Sequence, residues 1–291
     1  MVSAQSDPVQ GLPPLRSIIR EHGLAARKSL GQHFLLDLNL TRRIARLAGD
    51  LRNATVIEVG PGPGGLTRAL LLEGAQRLFA IEKDQRCQSA LRSLVEAAEG
   101  RLTLIDADAL EINPEELGPP PRLIVSNLPY NVGSALLTGW LQQLASNPES
   151  LKRLVLMFQR EVADRLVARP RSKAYGRLSV LTQWLCRASI SLEVPAAAFT
   201  PPPKVTSAVV VLDPRSRVLA PCKLRSLEKV TAAAFGQRRK MLRQSLRSLG
   251  VVPALLLEKA GVAESARAEE LTVEDFCALA RALDELQPSP E

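Results

Sequence analysis

From Asn53 onward, short β-branched runs recur at intervals that leave room for a helix between them. The runs are ATVIEVG (54–60), RLFAIEK (77–83), RLTLIDAD (101–108) and PRLIVSN (121–127), and the helical patterns Leu66–Leu72 and Gln85–Ala98 fall between them. Such alternation forms βαβ units, in which the strands run parallel and helices cover both faces of the sheet. LKRLVLMFQREVADRLVA (151–168) reads as a strand followed by an amphipathic helix, RLSVLTQWLC (177–186) as a helix and SAVVVLD (207–213) as a late strand. After Asp213-Pro214 only helical patterns remain. The expectation is a mixed α/β chain in three parts: an N-terminal tail over 1–20, an α/β domain over 21–213 and a small helical C-terminal domain over 214–291.

Parallel sheets of this kind bind ligands at the carboxyl ends of their strands. The residues at those ends carry the functional reading. VIEVGPGPGGLT (56–67) follows the first strand and places Gly60, Gly62, Gly64 and Gly65 where backbone approaches a ligand closely. Its spacing satisfies G-x-G-x-x-G, so a dinucleotide site is formally open, as is a packing turn with no ligand. Glu82 ends the second strand, where a carboxylate accepts both hydroxyls of a ribose in a nicotinamide or an S-adenosylmethionine site alike. Asp108 ends the third and is placed to accept the exocyclic amine of an adenine ring. Each acid alone reads equally as a solvated strand terminus; four such features on one rim point to an adenosyl ligand carrying a reactive group.

The fourth feature is Asn127-Leu128-Pro129-Tyr130. An adenine amine is a poor nucleophile because its lone pair is delocalised into the ring. A site that methylates it favours the pyramidal nitrogen of the transition state by placing acceptors around the N–H bonds. The Asn127 side-chain oxygen supplies one acceptor and a carbonyl at Leu128 or Pro129 another, Pro129 restricts the backbone, and Tyr130 stacks on the base. A strong general base is unnecessary, since the nitrogen becomes acidic once alkylated. A base drawn from its stack calls for a second wall, and Phe199, ahead of a triple proline, is the candidate; a core role for Phe199 competes.

These stretches, with KSLGQHFLLD (28–37), REVADRLVARPRSKAYGRLSVLTQ (160–183) and FTPPPKVTSAVV (199–210), resemble the ribosomal RNA adenine dimethyltransferases, most closely the bacterial small-subunit branch. The resemblance runs from about Lys28 to Asp213 and more loosely beyond. It implies a Rossmann-like S-adenosylmethionine-dependent methyltransferase domain with a small α-helical domain. The implied activity is dimethylation of two adjacent adenosines near the 3′ end of 16S rRNA during small-subunit biogenesis. Position by position it implies cofactor contacts at His33, Leu35, Gly60, Glu82, Asp108 and Asn127, with Asn127 and Tyr130 acting on the base and Phe199 stacking on it. The family pattern has Asn where this chain has His33, which puts a side-chain contact there in question; a backbone contact survives the change.

The net charge of +8 makes a polyanion a natural partner. The charge is uneven: 215–250 is dense in Arg and Lys with Glu228 as its only acid, whereas 251–291 is acidic. FGQRRKMLRQSLRSLG (235–250) reads as one helix with Arg239, Arg243 and Arg247 on a single face, suited to phosphates of 16S rRNA in the small subunit or its precursor. A solvated basic helix is the competing reading. Four scattered cysteines without a C-x-x-C pair and two histidines give no metal site, and neither a signal-peptide core nor a membrane span is evident. A cytoplasmic monomer is expected. The alternatives are an enzyme acting on large-subunit rRNA, a mainly non-catalytic assembly or nucleic-acid-binding factor, and a nicotinamide-dependent oxidoreductase.

Overall fold

A computed structural model describes residues 7–26 and 31–287. Positions 1–6 of the expected tail, 28–30 of the quoted stretch 28–37 and 288–291 of the expected helical domain lie outside the described residues. The elements in chain order are α1 (Leu15–Glu21), β1 (Phe34–Leu35), α2 (Leu38–Arg46), β2 (Thr55–Val59), α3 (Gly65–Leu72), β3 (Arg77–Ile81), α4 (Gln85–Ala97), β4 (Leu102–Ile105), β5 (Arg122–Asn127), α5 (Gly133–Ser146) and β6 (Arg153–Gln159). They continue with α6 (Arg160–Val167), α7 (Arg177–Leu185), β7 (Cys186–Val194), β8 (Phe199–Thr200), β9 (Ser207–Pro214), α8 (Leu224–Gly236), α9 (Leu242–Ser245), α10 (Pro253–Ala260) and α11 (Val273–Leu286). The chain forms two compact units, one running through Ala163 and resuming over Ser189–Asp213, the other made of Asp164–Ala188 and the chain from Pro214.

The first unit is built on a seven-stranded sheet in the order β4-β3-β2-β5-β6-β9-β7. Its first five strands are parallel, with Val56 opposite both Leu78 and Leu123, and Val125 opposite Val155. Every residue of β2 is buried, as are Leu123–Ser126 of β5, which is why these strands read as continuous apolar runs rather than alternating ones. β9 runs antiparallel to β6, so its first residue, Ser207, sits opposite Gln159 at the carboxyl end of β6. An antiparallel strand thus delivers its beginning to the rim where the parallel strands end. The segment ahead of the sheet packs too: Val9 is fully buried in the core, and Arg101 pairs with Asp7 at 2.9 Å.

The second unit is helical. α11 is capped by Thr272, whose hydroxyl accepts from the Asp275 N–H at 3.1 Å while the Asp275 carboxylate accepts from the Thr272 N–H at 2.8 Å. Buried Leu227, Val230 and Ala234 of α8 and Phe276, Leu279 and Leu283 of α11 supply apolar core, and the rings of Tyr175, Phe235 and Phe276 pack in sequence. α7 joins this unit because the chain after Pro214 returns to it: Arg215 N–H donates to the Leu185 carbonyl at 2.8 Å and the Trp184 indole to the Ala220 carbonyl at 2.8 Å. Among the described residues, no helix is long and apolar enough to cross a membrane.

The expected single helix over 235–250 is corrected. α8 ends at Gly236, the chain turns through 237–241, and a short α9 is followed by one 3-10 turn over Leu246–Leu249. Gly236 lacks the side chain that would stabilise continuation, and Leu242 and Leu246 are needed in the core, so the chain bends to bury them. Arg239, Arg243 and Arg247 are all exposed, but the turn, α9 and the 3-10 segment each carry one of them. Truncating Ile124, fully buried in central strand β5, leaves a cavity; Ile124→Ala is expected to cost about 2–5 kcal/mol, read as a lowered midpoint in urea unfolding followed by a probe in the first unit.

Candidate active site

The carboxyl ends of β2, β3, β4 and β5 open into one cleft, continuous with solvent, at the rim where parallel α/β sheets bind their ligands. His33, Leu35, Gly60, Glu82, Asp108, Asn127 and Tyr130 all line it. Of the residues expected from sequence to contact cofactor or base, Phe199 alone does not.

The glycine turn after β2 forms one wall. Gly60 has φ +67°, which strains any other residue, and a Cβ there would stand 3.3 Å from the Pro129 ring, so a bare position lets the turn lie close against the Asn-Leu-Pro-Tyr segment. At Gly65, the first residue of α3, a Cβ would run into the Leu35 carbonyl, which lets segment 31–35 lie directly against the start of the helix. That segment is the second wall. The Gln32 amide donates to Asp84 Oδ2 at 3.1 Å, and β1 pairs with β8, Phe34 opposite Thr200 and Leu35 opposite Phe199. His33 Nδ1 lies 2.8 Å from the Pro201 carbonyl; since a carbonyl only accepts, Nδ1 carries the proton.

Three carboxylates sit in different environments. Glu82 is 6% exposed, and its two oxygens accept from the backbone N–H of Gly62 at 3.1 Å and of Asp84 at 2.8 Å. Burial raises its pKa, and those two N–H groups oppose the rise. Asp108 is more open; the Leu110 N–H at 3.0 Å, and then Lys83 Nζ at 3.1 Å, hold its pKa below the usual carboxylate value. Glu58, one residue from the end of β2, was not picked out in the sequence. It lines the cleft at 1% exposure, and its Oε2 has no hydrogen-bond partner. Burial pushes its pKa up to about 8, the Thr67 hydroxyl opposing and the Glu82 charge adding to the rise. A lone acid inside the apolar run VIEV was the signal that could have found it.

Asn127 ends β5, and its Nδ2 donates to the His33 carbonyl at 3.1 Å. That bond fixes the amide's orientation and leaves Oδ1 as an acceptor. Tyr130 lies within the turn closed by the Val132 and Gly133 N–H groups on the Pro129 carbonyl. Its ring centroid is 5.2 Å from that of His33, with the planes inclined by 33°. Phe199 is 2% exposed and belongs to the core, meeting His33 edge-on with centroids 6.3 Å apart. The β1–β8 pairing turns it inward, so it backs His33 instead of facing the cleft.

The basic residues lie in the other unit. The loop 169–177 is anchored there by Arg238, which donates to the Ser172 and Tyr175 carbonyls at 3.0 and 2.8 Å and to Glu269 at 2.8 Å. Tyr175 is core, whereas Arg169, Arg171, Lys173 and Arg177 are exposed. Arg239, Arg243 and Arg247 have no carboxylate partner among the described ion pairs.

Residues 23–285 match the family model described as ribosomal RNA adenine dimethylase. The chain is 60% identical over 273 residues to the ribosomal RNA small subunit methyltransferase A of Paramagnetospirillum magneticum, covering 94% of this chain and 95% of that one. It is 57% identical over 281 residues to the protein of the same name from Rhodospirillum rubrum, covering 97% and 96%. Among solved structures it is similar to a dimethyladenosine transferase from Plasmodium falciparum, with TM-score 0.71 and 25% identity over 85% of this chain and 96% of that one. The 23S rRNA methyltransferase ErmE is similar too, with TM-score 0.64 and 27% identity over 86% and 99%.

The Glu58 environment carries a pH signature. Its folded pKa, about 8, lies above the ordinary 4.5, so between these values the unfolded chain is ionised while the folded one keeps its proton. Stability therefore falls with rising pH across that window and levels off above about 8. Glu58→Gln is expected to gain on wild type progressively from about pH 5 to about 8, measured by denaturant unfolding; parallel curves would contradict the assignment.

Proposed function

The chain belongs to the ribosomal RNA adenine dimethylase family, and from that membership we propose that its cleft methylates the exocyclic amines of two adjacent adenosines near the 3′ end of 16S rRNA, using S-adenosylmethionine. The observation that carries the reading is the Asn127 amide at the rim of the cleft, whose Nδ2 is taken by the His33 carbonyl so that Oδ1 is left as the acceptor. The match to small-subunit enzymes at 60% identity outweighs that to the 23S enzyme at 27%, and favours the small subunit over large-subunit RNA.

The cleft suits S-adenosylmethionine on its own terms. Gly60 and Gly62 have positive φ and present bare backbone, with a Cβ at Gly62 only 3.1 Å from the Phe34 ring. Glu82 takes the ribose hydroxyls, Asp108 the adenine amine, and Leu35, with the backbone at His33, completes the wall. When bound, this cofactor supplies an electrophilic methyl group. The protein binds and orients: Asn127 Oδ1 and the Leu128 carbonyl accept the amine N–H groups, the Pro129 carbonyl being taken by the Val132 and Gly133 N–H groups. This favours a pyramidal nitrogen, while the Tyr130 ring holds the base in line. The proton leaves the alkylated nitrogen for solvent, so histidine is not needed as a base.

The exposed Arg239, Arg243 and Arg247, with the basic loop 169–177, hold RNA phosphates in this proposal, and the proposed setting is a cytoplasmic monomer acting on the small subunit or its precursor. Catalysis and a checking role in assembly are compatible, and Asn127→Ala separates them. Methyl transfer to small-subunit RNA should drop on the order of a hundredfold with RNA retention on filters unchanged; full activity would overturn the catalytic assignment. Reversing charge at Arg239, Arg243 and Arg247 together should weaken RNA binding and flatten its salt dependence by about one unit of slope per lost phosphate contact. Unchanged binding across a salt series would remove these residues from the RNA surface.

A further inference from the structure

Tyr130 lines the cleft and also a small hollow, with room for about one water, shared with Gly133, Met157, Phe158 and Val162. Close packing fixes a side chain only where neighbours fill the space around it, and a ring that borders an open cleft is not held by packing on that side. Yet a ring that stacks on a base must be held in one plane before the base arrives, because misplacement at the reacting centre is costly in rate.

The restraint comes from the late strand. The Tyr130 hydroxyl lies 2.6 Å from Ser207 Oγ. Ser207 is 0% exposed, and its hydroxyl would otherwise be a buried polar group without a partner. Its place on the rim follows from the antiparallel run of β9, which sets Ser207 opposite Gln159 at the end of β6. The hydrogen bond draws the Tyr130 hydroxyl into the protein and leaves the ring, not the hydroxyl, for a ligand. The imidazole of His33 lies against the same ring, 5.2 Å between centroids, and is held in turn by the Pro201 carbonyl at 2.8 Å.

We infer that Ser207 is a positioning residue: it never meets substrate, and it anchors the Tyr130 hydroxyl so that the ring is preset to stack on the target adenine. This rests on the proposed methyl transfer. The Tyr130 hydroxyl then has no part in proton transfer, and its only duty is as an anchor. Ser207→Ala and Tyr130→Phe therefore remove the same interaction from its two ends.

The test measures initial rates of methyl transfer to unmodified small subunits for wild type, Ser207→Ala, Ser207→Thr, Tyr130→Phe and the Ser207→Ala/Tyr130→Phe double variant. Each of Ser207→Ala and Tyr130→Phe should lower kcat about five- to tenfold, the weight of one buried hydrogen bond. KM for the subunit and the affinity for S-adenosylmethionine, measured by calorimetry, should stay at their wild-type values. The double variant should match either single one instead of multiplying their effects, and Ser207→Thr, which keeps the hydroxyl, should recover most of the rate. Thermal unfolding of each variant guards against a folding defect; should Ser207→Ala not fold, Tyr130→Phe set against Ser207→Thr decides the same point. A wild-type rate in Ser207→Ala, multiplicative losses in the double variant, or a loss confined to KM would overturn the inference. An inactive wild type would instead overturn the methyltransferase reading itself.

Discussion

A hydrogen bond from Asn127 Nδ2 to the His33 carbonyl decides which end of that amide faces the cleft. An amide has a donor end and an acceptor end of nearly the same shape, so a site that uses one must spend the other. The carbonyl that does this belongs to a segment with only two residues of strand, and the segment stays in place through a chain of contacts. Gln32 reaches Asp84, Leu35 lies against bare Gly65, and β1 pairs with β8. The acceptor at the rim therefore depends on parts of the chain separated by more than a hundred residues, among them the antiparallel β1–β8 pair.

The same topology arranges the charges. Glu82 and Asp108 end neighbouring strands, but one is buried and bound by backbone N–H groups while the other is open and paired with Lys83. A buried carboxylate is costly unless its oxygens have donors, which Glu82 has from Gly62 and Asp84. Glu58 lacks a partner on Oε2 and keeps its proton instead. The site thus combines an open carboxylate paired with Lys83, a shielded one and a neutral acid within one glycine-walled space.

The parts of this arrangement that were legible in the sequence are those encoded locally. β-branched runs announce buried parallel strands, glycines at 60 and 62 announce a turn with positive φ, and residues at strand ends fall on one rim whenever the strands are parallel. What stayed hidden depends on pairing between distant segments. Phe199 sits beside prolines in a way that suggests an exposed wall, and only the β1–β8 pairing turns it into the core. Ser207 carries no local mark at all, because its position comes from β9 running antiparallel to β6. Two other features had signals that competing patterns masked: Gly236 marked the end of α8, and the alternation in CRASISLEV marked β7, whose burial indeed alternates.

The central claim is that one rim holds both a methyl donor and an adenine amine. Its most direct test incubates the protein and S-adenosylmethionine with small subunits lacking the modification, and in parallel with large-subunit RNA, followed by mass spectrometry of the digested RNA. The account predicts dimethyladenosine at two adjacent positions in the small-subunit RNA and none in the large-subunit RNA. Absence of methyl transfer to the small subunit, or transfer to the large-subunit RNA instead, would contradict it.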